Sequence, residues 1–166
     1  MNTGQTSWRC NAFEIAVVLV RWLLGALFLY MGLSKALHPV EFLKLVREYE
    51  LVQSPLLLNS IAAALPWFEV FCGLLLLAGV AVRGSALMFL LMLVPFTLVV
   101  LDRALAIQAA GAMPFCAVKF DCGCGMGEVF ICPKLVENGV LTLLSAWLLA
   151  GCGRRYCVRY RLTKPD

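Results

Sequence analysis

Four long apolar runs constrain this chain more than any other feature, at about residues 12–33, 58–82, 84–103 and 135–151. The first covers about 22 residues, or roughly 33 Å of helix at 1.5 Å per residue, enough to cross the hydrocarbon of a bilayer. With 62% hydrophobic and 14% charged residues, a soluble fold of this length could not cover its surface with polar groups. Lipid tails remove that requirement. The runs therefore predict an all-α membrane protein, a four-transmembrane-helix bundle forming one domain over residues 1–166. The first run contains Arg21 and has no small-x-small cleavage pattern, so it reads as a retained span and not as a signal peptide. The fourth is the shortest, and Glu137 and Asn138 near its start place its first turn outside the hydrocarbon.

A different segment separates the first two runs. Phe42, Leu45, Val46 and Tyr49 fall on one helical face, and Glu41, Lys44, Arg47 and Glu48 take the other. Pro39 at its start and Pro55 beyond its end bound an amphipathic helix over about residues 39–53, too polar to span and suited to the membrane interface. Five of the 14 Lys and Arg crowd the C-terminus: Arg154, Arg155, Arg159, Arg161 and Lys164. A basic tail beside a span marks the cytoplasmic side. It is too short, with nothing soluble beside it, to argue for nucleic-acid binding. Four spans then place both termini in the cytoplasm, with the amphipathic segment and the loop of about 112–134 outside.

That loop holds four of the eight cysteines: Cys116, Cys122, Cys124 and Cys132. Outside the cell disulfides persist, whereas Cys10, Cys72, Cys152 and Cys157 lie in or near the spans and cytoplasmic ends, where thiols stay reduced. Four cysteines allow three pairings, and spacing does not choose among them. A bridge between Cys122 and Cys124 would close a small, strained ring, which suits exchange better than stapling. Glycines at 123, 125 and 127 leave the backbone open to a partner's approach. Two structural disulfides are the plainer reading, and a four-thiolate metal site is the other. Its C-x5-C-x-C-x7-C spacing matches no common metal pattern, so no metal is assigned.

Two charges fall inside the apolar runs, Arg21 and Glu69. Such groups face a bundle interior and find partners, and depths counted from the outer span ends pair them with each other. The pair would either lock the first helix to the second or form a polar interior site for a proton or a quinone headgroup. Tyr30, Lys35 and His38 gather at the outer end of the first span, with His38 read as interfacial or capping. Motifs of soluble hydrolases, kinases and dehydrogenases do not occur in the sequence.

Three stretches, in order, carry a resemblance: R-W-L-L-G-A-L-F-L-Y-M-G-L-S-K at 21–35 followed by His38-Pro39, L-P-W-F-E-V-F-C-G-L-L-L-L-A-G at 65–79, and D-C-G-C-G at 121–125. Together they resemble the MauE/DoxX family of bacterial redox-associated membrane proteins, over roughly residues 13–150. Gly125-Met126-Gly127 stands where the family usually has Phe-Gly after C-G-C, and Glu137-Asn138 where it often has Arg-Asn. Cys116 and Cys132 are additional to the pattern. The resemblance implies a bacterial inner-membrane protein with Cys122 and Cys124 as the redox pair and Glu69 as the intramembrane polar residue. Cys116 and Cys132 would resolve or relay. It further implies a thioredoxin-like or disulfide-containing periplasmic partner. MauE-like members are linked to maturation of a disulfide-rich dehydrogenase subunit, and DoxX-like relatives to quinone-coupled oxidation. A quinone is thus the one candidate cofactor. The reading from another class is a non-catalytic membrane subunit or assembly factor with a disulfide-stapled loop.

Overall fold

The structure, a computed structural model, describes residues 3–48, 54–111, 114–121 and 127–150, the side chains of residues 3–13 and 48 excepted. Among these residues five α-helices carry the fold: α1 (Thr3–Leu37), α2 (Pro39–Glu48), α3 (Pro55–Ala78), α4 (Val82–Gly111) and α5 (Ile131–Ala150). A single 3₁₀ turn, Phe115–Ala117, and two short strands, β1 (Lys119–Asp121) and β2 (Glu128–Phe130), lie between α4 and α5. Contacts of α1 with α3, α3 with α4, α4 with α5 and α5 with α1 close a ring of four helices, and α2 packs across α1 and α3 at one end.

Among the described residues, three segments are long and apolar enough to cross a membrane: Glu14–Leu37 of α1, Pro55–Ala78 and Val82–Gly111. Their outward faces carry Leu19, Trp22, Trp67, Phe71 and Leu98, all more than half exposed. Such a surface is at home in lipid and not in water. The protein is an all-α membrane protein. α5 has 20 residues but is not among the three, because Lys134, Glu137 and Asn138 sit in its first two turns.

The apolar runs locate the helices but misplace their ends. α1 runs to Leu37 and α4 to Gly111, beyond the expected 33 and 103, since helix propensity continues past the last strongly apolar residue. The turn expected at Arg83-Gly84 instead lies at Gly79–Ala81. Gly79 adopts φ 75°, and the amides of Gly79 and Val80 return to the carbonyls of Leu76 and Leu75 at 3.2 and 2.9 Å. This left-handed glycine cap ends α3 and reverses the chain into α4. α2 matches its expected amphipathic face as far as it is described, with Phe42 buried and Glu41, Lys44 and Arg47 exposed. Residues 49–53 and the basic tail lie outside the described residues.

Small residues set the closest helix pair. A Cβ on Gly73 of α3 would stand 2.9 Å from the Gly25 carbonyl oxygen and 3.0 Å from the Leu29 amide nitrogen. A Cβ on Gly32 would meet the Glu69 Cβ and the Pro66 carbonyl, both at 2.8 Å. α1 and α3 therefore touch backbone to backbone, as membrane helices do where small residues line the contact. Phe28 stacks on Phe89 with ring centroids 3.7 Å apart and ties α1 to α4 on the other side.

Candidate functional site

The glycine contacts fix which polar residues can meet. Gly32 lies opposite Glu69, so Lys35 is three residues further along α1, roughly 4.5 Å of rise, and Arg21 is eleven residues back, roughly 16 Å. Helical side chains tilt toward the N-terminus, which carries the Lys35 ammonium back to the level of Glu69. Its Nζ donates to Oε1 at 2.7 Å and Oε2 at 2.8 Å, and both side chains are buried. The expected Arg21–Glu69 pair is thus replaced by Lys35–Glu69. Depth counted from span ends failed because α1 continues to Leu37, which moves Lys35 inside the bundle. Arg21 is buried as well, at 4% exposure, near the middle of α1. Tyr30 and His38 are exposed.

The Lys35–Glu69 pair borders a cavity of about 360 Å³ formed by all five helices. Its lining comes from residues 28–35 of α1, 61–69 of α3 and 134–141 of α5, with the middle of α4. The cavity therefore occupies the half of the bundle where α1 ends and α5 begins. Phe42, Leu45 and Val46 of α2 form one wall, so the amphipathic helix turns its apolar face to the cavity. Two further polar groups reach it, Lys134 and Asn138. Lys134 is 2% exposed and pairs with Glu137 at 3.2 Å. Asn138 is 1% exposed, and its Nδ2 has no hydrogen-bond partner among the described residues. Neither residue stood out as a site residue in the sequence. Their signal was periodicity: Ile131, Lys134, Asn138, Leu141, Ser145 and Leu148 form the buried stripe of α5 at alternating three- and four-residue steps.

Above this end sits the cysteine loop. Cys116 and Cys132 are joined by a disulfide, with Cα atoms 5.1 Å apart. Of the three possible pairings, those joining Cys116 or Cys132 to the central cysteines are thereby not the ones formed. Joined in this way, the two offer no thiolates to a metal. The bond ties the 3₁₀ turn to the first turn of α5. β1 and β2 pair antiparallel beside it, with Lys119 opposite Phe130, Phe120 opposite Val129 and Asp121 opposite Glu128. Val118 and Ile131, at 0% and 1% exposure, anchor the hairpin through the Ile131 amide on the Val118 carbonyl at 3.1 Å. The strands bracket residues 122–127. Cys122 and Cys124 belong to that connection and lie outside the described residues. Gly127, where the chain returns into β2, has φ 73°, a conformation that favours glycine. Cys72 is free and buried; Cys152, Cys157 and the Cys10 side chain lie outside the described residues.

Peptide mapping of unreduced protein is expected to recover a Cys116–Cys132 cross-linked pair. Replacing both residues with Ser should lower the stability of the loop region by about 3 kcal/mol, the chain-entropy value for a closed loop of this size. Hydrogen exchange in residues 114–132 reads the effect, and unchanged protection would show that the bond constrains nothing.

The family model described as Methylamine utilisation protein MauE matches residues 13–151, which takes in α5, the cysteine loop and the cavity. Comparison with curated proteins and with solved structures gives no match. With most of its length matched by that one model, the chain belongs to the MauE family of membrane proteins.

Proposed function

We propose that the protein is a membrane thiol–disulfide redox protein that accepts electrons from a thioredoxin-like or disulfide-containing partner. The observation that carries the reading is the Cys116–Cys132 disulfide, which fastens the hairpin bearing Cys122 and Cys124 to the helix that opens the polar end of the cavity. With Cys116 and Cys132 joined, the only partner left in the loop for Cys122 is Cys124. A bridge across one residue is strained and prone to exchange.

In this reading a partner's thiolate attacks the Cys122–Cys124 bridge, a mixed disulfide forms, and the partner's second thiol releases it. The partner leaves oxidised and the C-G-C pair is left as a dithiol. That dithiol then exchanges with the Cys116–Cys132 bond, passing two electrons to the pair nearest the bundle. α5 serves as the fourth span, its polar first turns at the interface. The loop faces the periplasm of a bacterial inner membrane and both termini face the cytoplasm, as the basic tail favours. The family's name, with its reference to methylamine utilisation, makes a disulfide-rich protein of that system a natural partner.

The test uses membranes containing the full chain and reduced thioredoxin as the probe. Oxidation of thioredoxin is expected to fall to the background rate when Cys122 and Cys124 are both replaced by Ser. Normal oxidation by that variant, with its Cys116–Cys132 bond intact, refutes the reading and leaves a stapled, non-catalytic loop.

A further inference from the structure

We infer that the five-helix cavity binds one acyl chain of a membrane phospholipid, with Asn138 donating to the ester carbonyl of that chain. The inference concerns the bundle alone and does not depend on the redox reading. It starts from charge. Each ammonium that reaches the cavity has a carboxylate of its own, Lys35 with Glu69 at 2.7 Å and Lys134 with Glu137 at 3.2 Å. No charge of the lining is left over to hold an ion, so the part of a ligand that lies inside is neutral. Asn138 differs. It is 1% exposed, and its Nδ2 has no hydrogen-bond partner among the described residues. A buried donor left in that state is costly. Water is a poor remedy, because a buried water needs about two to four polar partners and the rest of the lining is almost wholly apolar. An apolar molecule bearing one carbonyl satisfies the donor and fills the space at once.

Shape and access agree with a chain. The lining of α4 runs from Leu91 to Val99, roughly 12 Å of helix rise, so the space extends along the bundle. Leu91 and Pro95, one turn apart on that stretch, line the cavity and are also exposed at the outer surface. In a membrane that surface is lipid, which gives an acyl chain a lateral way in. The volume of about 360 Å³ is that of a small-molecule site and too small for a whole phospholipid, so the headgroup and second chain stay outside. Asn138 stands in the second turn of α5, beside Glu137, where this helix changes from polar to apolar. Lipid ester carbonyls occupy the same boundary, between the headgroups and the hydrocarbon. A ring with two opposed carbonyls would instead leave one of them without a donor.

The test is photocrosslinking of the full chain in nanodiscs doped with a phosphatidylethanolamine that carries a diazirine midway along one acyl chain. Label is expected on Met31 and Leu141, which are buried and out of reach of the lipid around the bundle. The matching ether-linked probe, which lacks the carbonyl, should label these two positions about tenfold less, the effect of one buried hydrogen bond. That comparison needs no variant, so no folding defect can imitate it. In Asn138→Leu the two probes should label alike, because the donor is gone. Leu45→Trp, which fills the cavity from α2 and keeps the donor, should lower label at Met31 and Leu141 and spare the lipid-facing Trp22 and Leu98. Label confined to lipid-facing positions overturns the proposal, and so does equal labelling of the wild type by ester and ether probes. Native mass spectrometry should find one phospholipid retained by the chain. A quinone or a free fatty acid retained in its place gives the cavity to another ligand and sinks the proposal.

Discussion

Replacing Lys35 with Met is expected to destabilise the bundle by about 3–5 kcal/mol, the usual penalty for leaving one member of a buried ion pair uncompensated. Lys35 is bound to both carboxylate oxygens of Glu69, and neither side chain exceeds 9% exposure. Without the ammonium the carboxylate must lie unpaired in the bundle or take up a proton. Adding Glu69→Gln should therefore recover most of the loss, because it removes the orphaned charge and keeps the shape. The sum of the single effects should exceed the effect of the pair, the signature of direct coupling. Cys72, free and buried next to this region on α3, is a native reporter. Its rate of modification by a maleimide during heating, resolved by mass spectrometry, follows unfolding. If Lys35→Met behaves like the double variant, the pair stabilises little. Glu69→Gln alone also addresses function, since normal thioredoxin oxidation by it would remove a proton-carrying role for Glu69.

The correction from Arg21 to Lys35 shows what the sequence could and could not disclose. Apolar runs revealed the helices because hydrocarbon demands long uninterrupted stretches. The facial pattern of Phe42, Leu45 and Val46 revealed α2 because amphipathicity is a local property. Register between helices is not local. It depends on where Gly25, Gly32 and Gly73 bring two backbones together, and nothing in the spacing of Arg21 and Glu69 carries that information. Lys35 looked like a residue at a span's end because the last strongly apolar residue preceded it, although α1 runs on to Leu37. The cysteine loop was conspicuous by composition, yet its pairing needed three dimensions. β1, β2 and the Val118–Ile131 anchor bring Cys116 to the start of α5, and the short strands have no alternation long enough to be read in sequence. The cavity was invisible for the same reason. It is assembled from five elements, and its key donor, Asn138, looked like a polar residue marking the edge of a span.

Gly73→Ala, the addition of one methyl group, is expected to cost about 1–3 kcal/mol, the range for overpacking a filled interior. A new Cβ would fall 2.9 Å from the Gly25 carbonyl oxygen and 3.0 Å from the Leu29 amide nitrogen. Both are backbone atoms, so no rotamer change relieves the contact and α1 must move away from α3. Gly25→Ala offers a graded comparison. Its closest new contact is the Leu77 side chain at 2.8 Å, with the Gly73 carbonyl at 3.0 Å, so part of the strain can be released by Leu77. Gly139→Ala is the control, since nothing lies within 4 Å of the added atom. There the alanine removes a helix-destabilising glycine, and stability should rise by up to about 1 kcal/mol. The order Gly139→Ala above wild type, above Gly25→Ala, above Gly73→Ala in Cys72 protection is thus a prediction about geometry and not about glycine as such. Displacing α1 from α3 also separates the backbones that bring Lys35 to Glu69, so Gly73→Ala should weaken the coupling measured between those two charges. Unchanged coupling in that background would mean that the ion pair, and not the small-residue contact, sets the register of the bundle.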